Sequence, residues 1–216
     1  ETGEEGLSIV APEGKSFIAA VAFVTLVSAS LAWGIDIAIF RLISLVLIVF
    51  LGFCFVFFRD PSRIIPVGDK IVLAPADGKV VDVSQSENGE KKVSIFLSVF
   101  DVHRNRTPVD GLVTRVNYSK GKFLAAFNPD ASEINEHTDV EIQSPGGIVR
   151  VRQIAGILAR RIICHLKEGQ QVSVGESLGF IRFGSRTDLV VPPGTSINVK
   201  IGDRVKSGSS IIGELS

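Results

Sequence analysis

Gly169-Gln170-Gln171-Val172-Ser173-Val174-Gly175-Glu176-Ser177-Leu178-Gly179 is followed by Gly202-Asp203-Arg204-Val205-Lys206-Ser207-Gly208-Ser209-Ser210-Ile211-Ile212-Gly213, the same order of glycine, valine, glycine and a short run, with one extra residue in the second copy. A looser copy, Val67-Gly68-Asp69-Lys70-Ile71, stands before Ala74-Pro75-Ala76-Asp77-Gly78-Lys79-Val80. Glycine permits tight turns, so each copy reads as short strands joined by turns. The Val/Ile runs at 70–74, 78–83, 92–98, 111–118, 140–144 and 147–154, separated largely by glycine, read as further strands. One stretch reads otherwise. In 153–166, QIAGILARRIICHL, residues Ile154, Ile157, Leu158, Ile162 and Leu166 fall at roughly helical spacing, and a short helix or a turn of one is expected.

The domain that results is mostly β with small helical insertions. Its repeated motif resembles the flattened β-sandwich, or barrel-sandwich, of lipoyl and biotinyl carrier domains. That resemblance bears on the fold alone and leaves a carrier and an enzyme equally open.

Outward from this domain toward the N-terminus the texture changes at Arg59-Asp60-Pro61, where proline restricts the residue before it. Residues 17–35, FIAAVAFVTLVSASLAWGI, carry no formal charge and are long enough to cross a hydrocarbon core as a helix. A second apolar stretch, 37–58, is interrupted only by Arg41. A secretory signal is a single shorter apolar run, so the tandem predicts an N-terminal helical membrane hairpin over 1–60, with Trp33 to Asp36 supplying its turn. Arg41 then snorkels toward the far interface or sits in a shallow hairpin. Lys15 before the first run and Arg59 and Arg63 after the second predict that both flanks, and the domain at 61–216, lie on the cytoplasmic side of the cell membrane.

Lys and Arg total 23 against 23 Asp and Glu, a formal net charge of zero, which gives no reason to expect nucleic acid as a partner. Cys54 and Cys164 lie far apart and read as unpaired thiols in a reducing compartment. Neither they nor His103, His137 and His165 fall at a metal-ligand spacing, so no metal is expected.

Four polar clusters stand out. Asp77-Gly78 within 74–80 reads locally as a β-turn. The run 96–108, FLSVFDVHRNRTP, ends an apolar strand in His103, Arg104 and Arg106; an imidazole can move a proton and an arginine fork can hold a phosphate. Residues 127–138 are polar and loop-like, ending in Asn135-Glu136-His137-Thr138. Arg160-Arg161 with His165 forms the fourth and could touch a headgroup phosphate. Near the C-terminus, Gly184-Ser185 within IRFGSR (181–186) reads locally as a bend between two strands.

Taken in order, FFRDPSRIIP (57–66), LAPADGKV (73–80), FLSVFDVHRNRTPVDG (96–111), NEHTDVEI (135–142), VRQIAGILARRI (151–162) and IRFGSRTDLVVP (181–192) resemble the short, membrane-associated form of the phosphatidylserine decarboxylase proenzyme family, whose archaeal members act on archaetidylserine. The resemblance implies a self-processing, pyruvoyl-dependent decarboxylase that converts the serine headgroup to ethanolamine with release of CO2. It implies cleavage between Gly184 and Ser185, a β chain ending at 184 and an α chain 185–216 whose first residue has become the pyruvoyl group. Ser185 Oγ attacks the Gly184 carbonyl, the amide becomes an ester, β-elimination expels it, and the dehydroalanine hydrolyses to a ketone and ammonia. Glycine offers the attacking oxygen an unhindered carbonyl. The ketone then forms a Schiff base with the substrate amine and takes up the electrons of the breaking carboxylate bond.

The resemblance also implies an Asp-His-Ser relay. Its aspartate matches Asp77. In larger members the relay histidine is the second of two, spaced three apart, and that position holds Arg106 here, while His103 matches the first. Either His103 takes over as base or the short form orients Ser185 by other contacts. Here too the chain reads FGSR where larger forms read LGST. His103 is the expected proton donor to the substrate carbon, with Arg104, Arg106 and Arg160 as phosphate contacts. A serine-headgroup phospholipid, the membrane, the chain's own two fragments and a second copy in a homodimer are the expected partners. The competing reading is a membrane-tethered lipoyl- or biotinyl-like carrier or binding module attached at Lys79 or Lys206, which leaves the hairpin and the His103 cluster without a purpose.

Overall fold

Pro12 opens the first helix, where its missing N–H is one that a helix start leaves unbonded in any case. In the computed structural model, which describes residues 9–35, 38–124, 134–156, 161–182 and 185–216, this helix, α1, spans Pro12–Ile35, and α2 spans Ala38–Phe57. Both are long and apolar enough to cross a membrane. Most of their large apolar side chains, Phe23, Leu26, Leu45 and Val49 among them, are exposed, as suits a hydrocarbon surrounding rather than a protein core. Between the helices, the hydroxyls of Ser28 and Ser44 share a buried hydrogen bond of 2.9 Å, and the rings of Phe17 and Phe50 meet edge to face with centroids 6.4 Å apart. The Ala11 N–H donates to the Phe58 carbonyl at 2.7 Å and the Asp60 N–H to Ile9 at 2.9 Å, so the chain enters and leaves this hairpin at one end. Trp33 to Ile35 are still helical, so the turn expected over Trp33–Asp36 does not begin at Trp33; Asp36 lies outside the described residues.

The chain divides into two compact units, Glu1–Ser62 and Arg63–Ser216. The described residues of the second form fourteen strands. Eight of them form one curled sheet in the order β13 (Arg204–Val205), β2 (Gly78–Gln85), β3 (Lys91–Leu97), β11 (Ser185–Val191), β7 (Gly147–Ile154), β6 (His137–Ser144), β5 (Gly111–Ser119), β9 (Gln171–Val172). Two three-stranded sheets complete the sandwich: β1 (Ile71–Leu73), β14 (Ile211–Glu214), β12 (Ser196–Ile197), and β4 (Arg104–Arg106), β10 (Ser177–Ile181), β8 (Ile162–Cys164). Val80, Ile95, Leu97, Val113, Val140, Ile142, Val151, Leu178 and Leu189 fill the interior and are wholly buried. Each such side chain contributes about 1.5–3 kcal/mol relative to exposure.

The glycine repeat is expressed as two pseudo-equivalent halves. The Gly169 N–H donates to Val113 and the Gly202 N–H to Val80; the Gly175 N–H donates to Thr107 and the Gly208 N–H to Ala74. Correspondingly β9 pairs with β5 and β13 with β2, while β10 pairs with β4 and β14 with β1. The acceptors repeat as well, because Ala74-Pro75-Ala76-Asp77-Gly78 answers to Thr107-Pro108-Val109-Asp110-Gly111. A Cβ on Gly78 would stand 2.1 Å from the Phe96 carbonyl oxygen, and one on Gly111 2.3 Å from that of Gln143, so both strands need glycine where they cross their neighbours.

The helix expected over 153–166 is not formed at its described ends. Gln153 and Ile154 close β7, held on one side by β11 and on the other by β6, and Ile162–Cys164 pairs with β10. The spacing of isoleucines suited either element, and strand pairing with distant residues decided it.

Candidate active site

Ser185 is the first residue of β11, which lies between β3 and β7 in the middle of the large sheet. Pairing sets Ser185 opposite Leu97 and Thr187 opposite Ile95, so the two side chains share the face that continues into core residues Leu189 and Val191. Ser185 is wholly buried and its Oγ has no hydrogen-bond partner among the described residues. A buried hydroxyl left unbonded costs about 1–3 kcal/mol, so this one does not serve stability. Gly184 and Arg160 lie outside the described residues, as does the part of the third polar cluster from 127 to 133.

Asp77 immediately precedes β2, on the other side of β3 from Ser185. Its carboxylate accepts hydrogen bonds from Arg63 Nη2 at 2.9 Å to each oxygen and from the Ser207 N–H at 2.8 Å. The second of these belongs to the fold, since Asp110 accepts equivalently from the Val174 N–H at 2.8 Å. The difference is environment. Asp110 is exposed, whereas Asp77 is buried and paired with a half-buried Arg63. Burial pushes the Asp77 carboxyl above its ordinary range; Arg63 and the Ser207 N–H pull it back only in part, and the charge of Asp101 adds to the rise. A buried carboxyl whose proton is held more tightly than usual is suited to exchanging protons.

His103 is wholly buried after the loop that leaves β3. Asp101 builds that loop: its Oδ2 accepts from the Ser98 N–H at 2.9 Å and the Ser98 hydroxyl at 2.7 Å. Its carbonyl oxygen lies 2.9 Å from His103 Nδ1, so Nδ1 carries the proton and Nε2 is the basic atom of the neutral ring. The His103 carbonyl accepts from the Ile181 N–H at 3.2 Å, which ties it to the strand running toward Ser185. Asp77, His103 and Ser185 are thus gathered around the end of β3, while the described partners of the Asp77 carboxylate are Arg63 and Ser207 rather than a histidine.

Arg104 is buried and donates to the Ser177 hydroxyl at 2.8 Å; Arg106 is half-buried and donates to the Gly175 carbonyl at 3.0 Å. His137 opens β6 opposite Ile154, with its Nε2 3.6 Å from Asp139, and His165 is exposed. Lys79 lies within β2, paired with Phe96, instead of at the hairpin tip a carrier requires, while Lys206 is exposed in a turn. A concavity of about 520 Å³ on the opposite face of the sheet, lined by Lys92, Arg115, Asp139, Arg150 and Arg152, does not include Ser185. Its charges are engaged in pairs such as Arg152–Asp139 at 2.6 Å and Arg150–Glu90 at 2.6 Å.

The family model described as phosphatidylserine decarboxylase matches residues 50–213. A phosphatidylserine decarboxylase proenzyme of Magnetococcus marinus is 41% identical over 218 residues, covering 98% of this chain and 97% of its own. One of Nitrosomonas europaea is 42% identical over 95% of both chains, and one of Solibacter usitatus 47% identical over 79% of this chain and 83% of its own. With a family match over most of its length and relatives this similar from end to end, the chain belongs to the phosphatidylserine decarboxylase family and is a decarboxylase.

Proposed function

We propose that this chain cleaves itself between Gly184 and Ser185 and then, on a pyruvoyl group formed from Ser185, decarboxylates phosphatidylserine or its ether-linked counterpart archaetidylserine to the ethanolamine lipid. The observation that carries this reading is the buried, unbonded Ser185 Oγ at the head of the central strand, in a chain of a proenzyme family. The residues around it fit the group: the site is closed to water and has an acid–base pair at the same sheet end. When formed, the ketone supplies an electron sink for loss of CO2.

The chain's own residues do the rest. His103 Nε2 takes the Ser185 hydroxyl proton during cleavage and returns a proton to the substrate carbon that has lost CO2. Asp77 sets the charge of the site from the other side of β3. Arg106, half-buried, and Arg104 and Arg160 are the proposed phosphate contacts. The hairpin spans the membrane with the domain on its cytoplasmic face, which brings the site to the headgroups; assembly as a homodimer belongs to the same reading and is read by light scattering.

Intact mass tests the cleavage: two fragments divided at 184/185 are expected, the smaller with a blocked N-terminus, and a single chain after folding overturns the reading. His103→Ala is expected to slow cleavage or turnover by about 10²–10⁴-fold, the range for one general acid–base group; parental rates in both assays move the role elsewhere. Ester-linked and ether-linked serine lipids offered separately to the purified enzyme are expected to turn over at similar rates, because the reacting headgroup is the same. Turnover of one alone assigns tail specificity.

A further inference from the structure

Next to Ser185 lies a polar cluster for which cleavage has no use. Gln153 pairs with Thr187 across β7 and β11, and its Nε2 donates to Asn105 Oδ1 at 2.7 Å. Asn105, Gln153, Ser185 and Thr187 are all wholly buried. The remaining polar atoms, Asn105 Nδ2, Gln153 Oε1 and Thr187 Oγ1, have no hydrogen-bond partner among the described residues. Turning both amides over exchanges the donor and acceptor within the pair and still leaves one NH2 and one carbonyl unused. Thr187 is two residues from Ser185 on the same strand face, about 7 Å away. Buried amides left this far short of their bonding capacity are costly, and together they form a built donor–acceptor pair within one headgroup length of Ser185.

The geometry points to the Asn105–Gln153 amide pair as the binding site for the α-amino-acid end of the lipid headgroup, the NH2 donating to the carboxylate and the carbonyl accepting from the amine. The inference rests on the decarboxylase reading above. A neutral amide suits this task better than arginine. The carboxylate loses its charge as CO2 departs, so a full ion pair would stabilise the bound substrate more than the transition state, whereas an amide holds it with less of that penalty. Cleavage at 184/185 frees the Ser185 end of β11 from the chain before it.

The test uses the cleaved enzyme after borohydride reduction of its carbonyl, so that binding is read by calorimetry without turnover. The soluble probes are glycerophosphoserine, which carries the amine and the carboxylate, and glycerophosphoglycerol, which carries neither. Gln153→Met removes the carbonyl but strands the Asn105 amide. The double variant Asn105→Leu with Gln153→Met removes both partners in matching shapes, a change that is nearly neutral for folding. Both variants are expected to be cleaved as the parent is, by intact mass, and to bind glycerophosphoserine at least about tenfold more weakly, the size of one or two lost hydrogen bonds, with little change toward glycerophosphoglycerol. Equal weakening toward both probes, or no weakening, overturns the assignment. Failure of the double variant to cleave also overturns it, by placing the pair in precursor folding. A parent protein that shows no cleavage fails the decarboxylase reading instead, before the probes are applied.

Discussion

Ser185→Ala is expected to yield one uncut chain by intact mass, with no carbonyl-reactive group and no detectable decarboxylation. The substitution removes one oxygen and nothing else that the fold uses. Ser185 Oγ has no hydrogen-bond partner among the described residues, and the site is wholly buried between strands of the large sheet. Deleting an unbonded buried hydroxyl relieves a cost of about 1–3 kcal/mol and leaves a void smaller than a methyl group. Thermal stability is therefore expected to match or exceed that of an uncut serine precursor. That combination separates loss of chemistry from loss of structure. A variant that still splits at 184/185, or still decarboxylates, shows that the nucleophile or the source of the carbonyl lies elsewhere.

The hairpin and the strands at 78–83, 92–98, 111–118 and 147–154 are legible because their signals are local: long apolar runs for the helices, alternation and glycine for the strands. The glycine repeat announces the sandwich, and Asp77-Gly78 echoed by Asp110-Gly111 carries the same repeat into the strands it pairs with. What stayed hidden depends on pairing across long separations. β4 and β10 are short and polar or glycine-bearing; β4 acquires strand geometry from β10, and β10 from β4 and β8. The isoleucines of 153–166 fit a helix until β11 and β10 claim the ends of that stretch. The partners of the site residues were equally invisible: Arg63 reads as a flanking charge of the hairpin, Asp101 as part of a loop, and Asn105 and Gln153 as unremarkable amides. Asp77 was found as a family match, yet one of its hydrogen bonds proves to be a turn contact that the fold repeats at Asp110.

That duplication makes Asp77→Asn the sharpest test of what the carboxylate does. Asparagine retains the Oδ1 that accepts from the Ser207 N–H, so the turn survives while the charge, its proton exchange and the second Arg63 hydrogen bond are lost. Self-cleavage is expected to slow by about 10²–10⁴-fold. The matching change Asp110→Asn, at an exposed site with the equivalent bond to Val174, is expected to leave cleavage unchanged. Stability moves the other way. The folded-state pKa of Asp77 is raised by burial, in spite of Arg63, above the ordinary 3.8. The folded chain therefore binds this proton more tightly than the unfolded chain, and the stability contributed by Asp77 is fully present below 3.8 and is lost as pH rises through the raised value. Since Arg63 is in place throughout that comparison, a neutral amide at the position reproduces the protonated, more stable form. Chemical denaturation at pH 7 is expected to find Asp77→Asn at least as stable as an uncut Ser185→Ala precursor, with the two converging below the window. In the native sequence, cleavage is expected to fall as pH drops through the same window, because the ionised carboxylate is the form that supports proton removal from Ser185. A stable Asp77→Asn chain that cleaves at the parental rate reduces Asp77 to the turn role it shares with Asp110; one that neither folds nor cleaves shows that the Arg63 pair, and not the proton, is what the position is kept for.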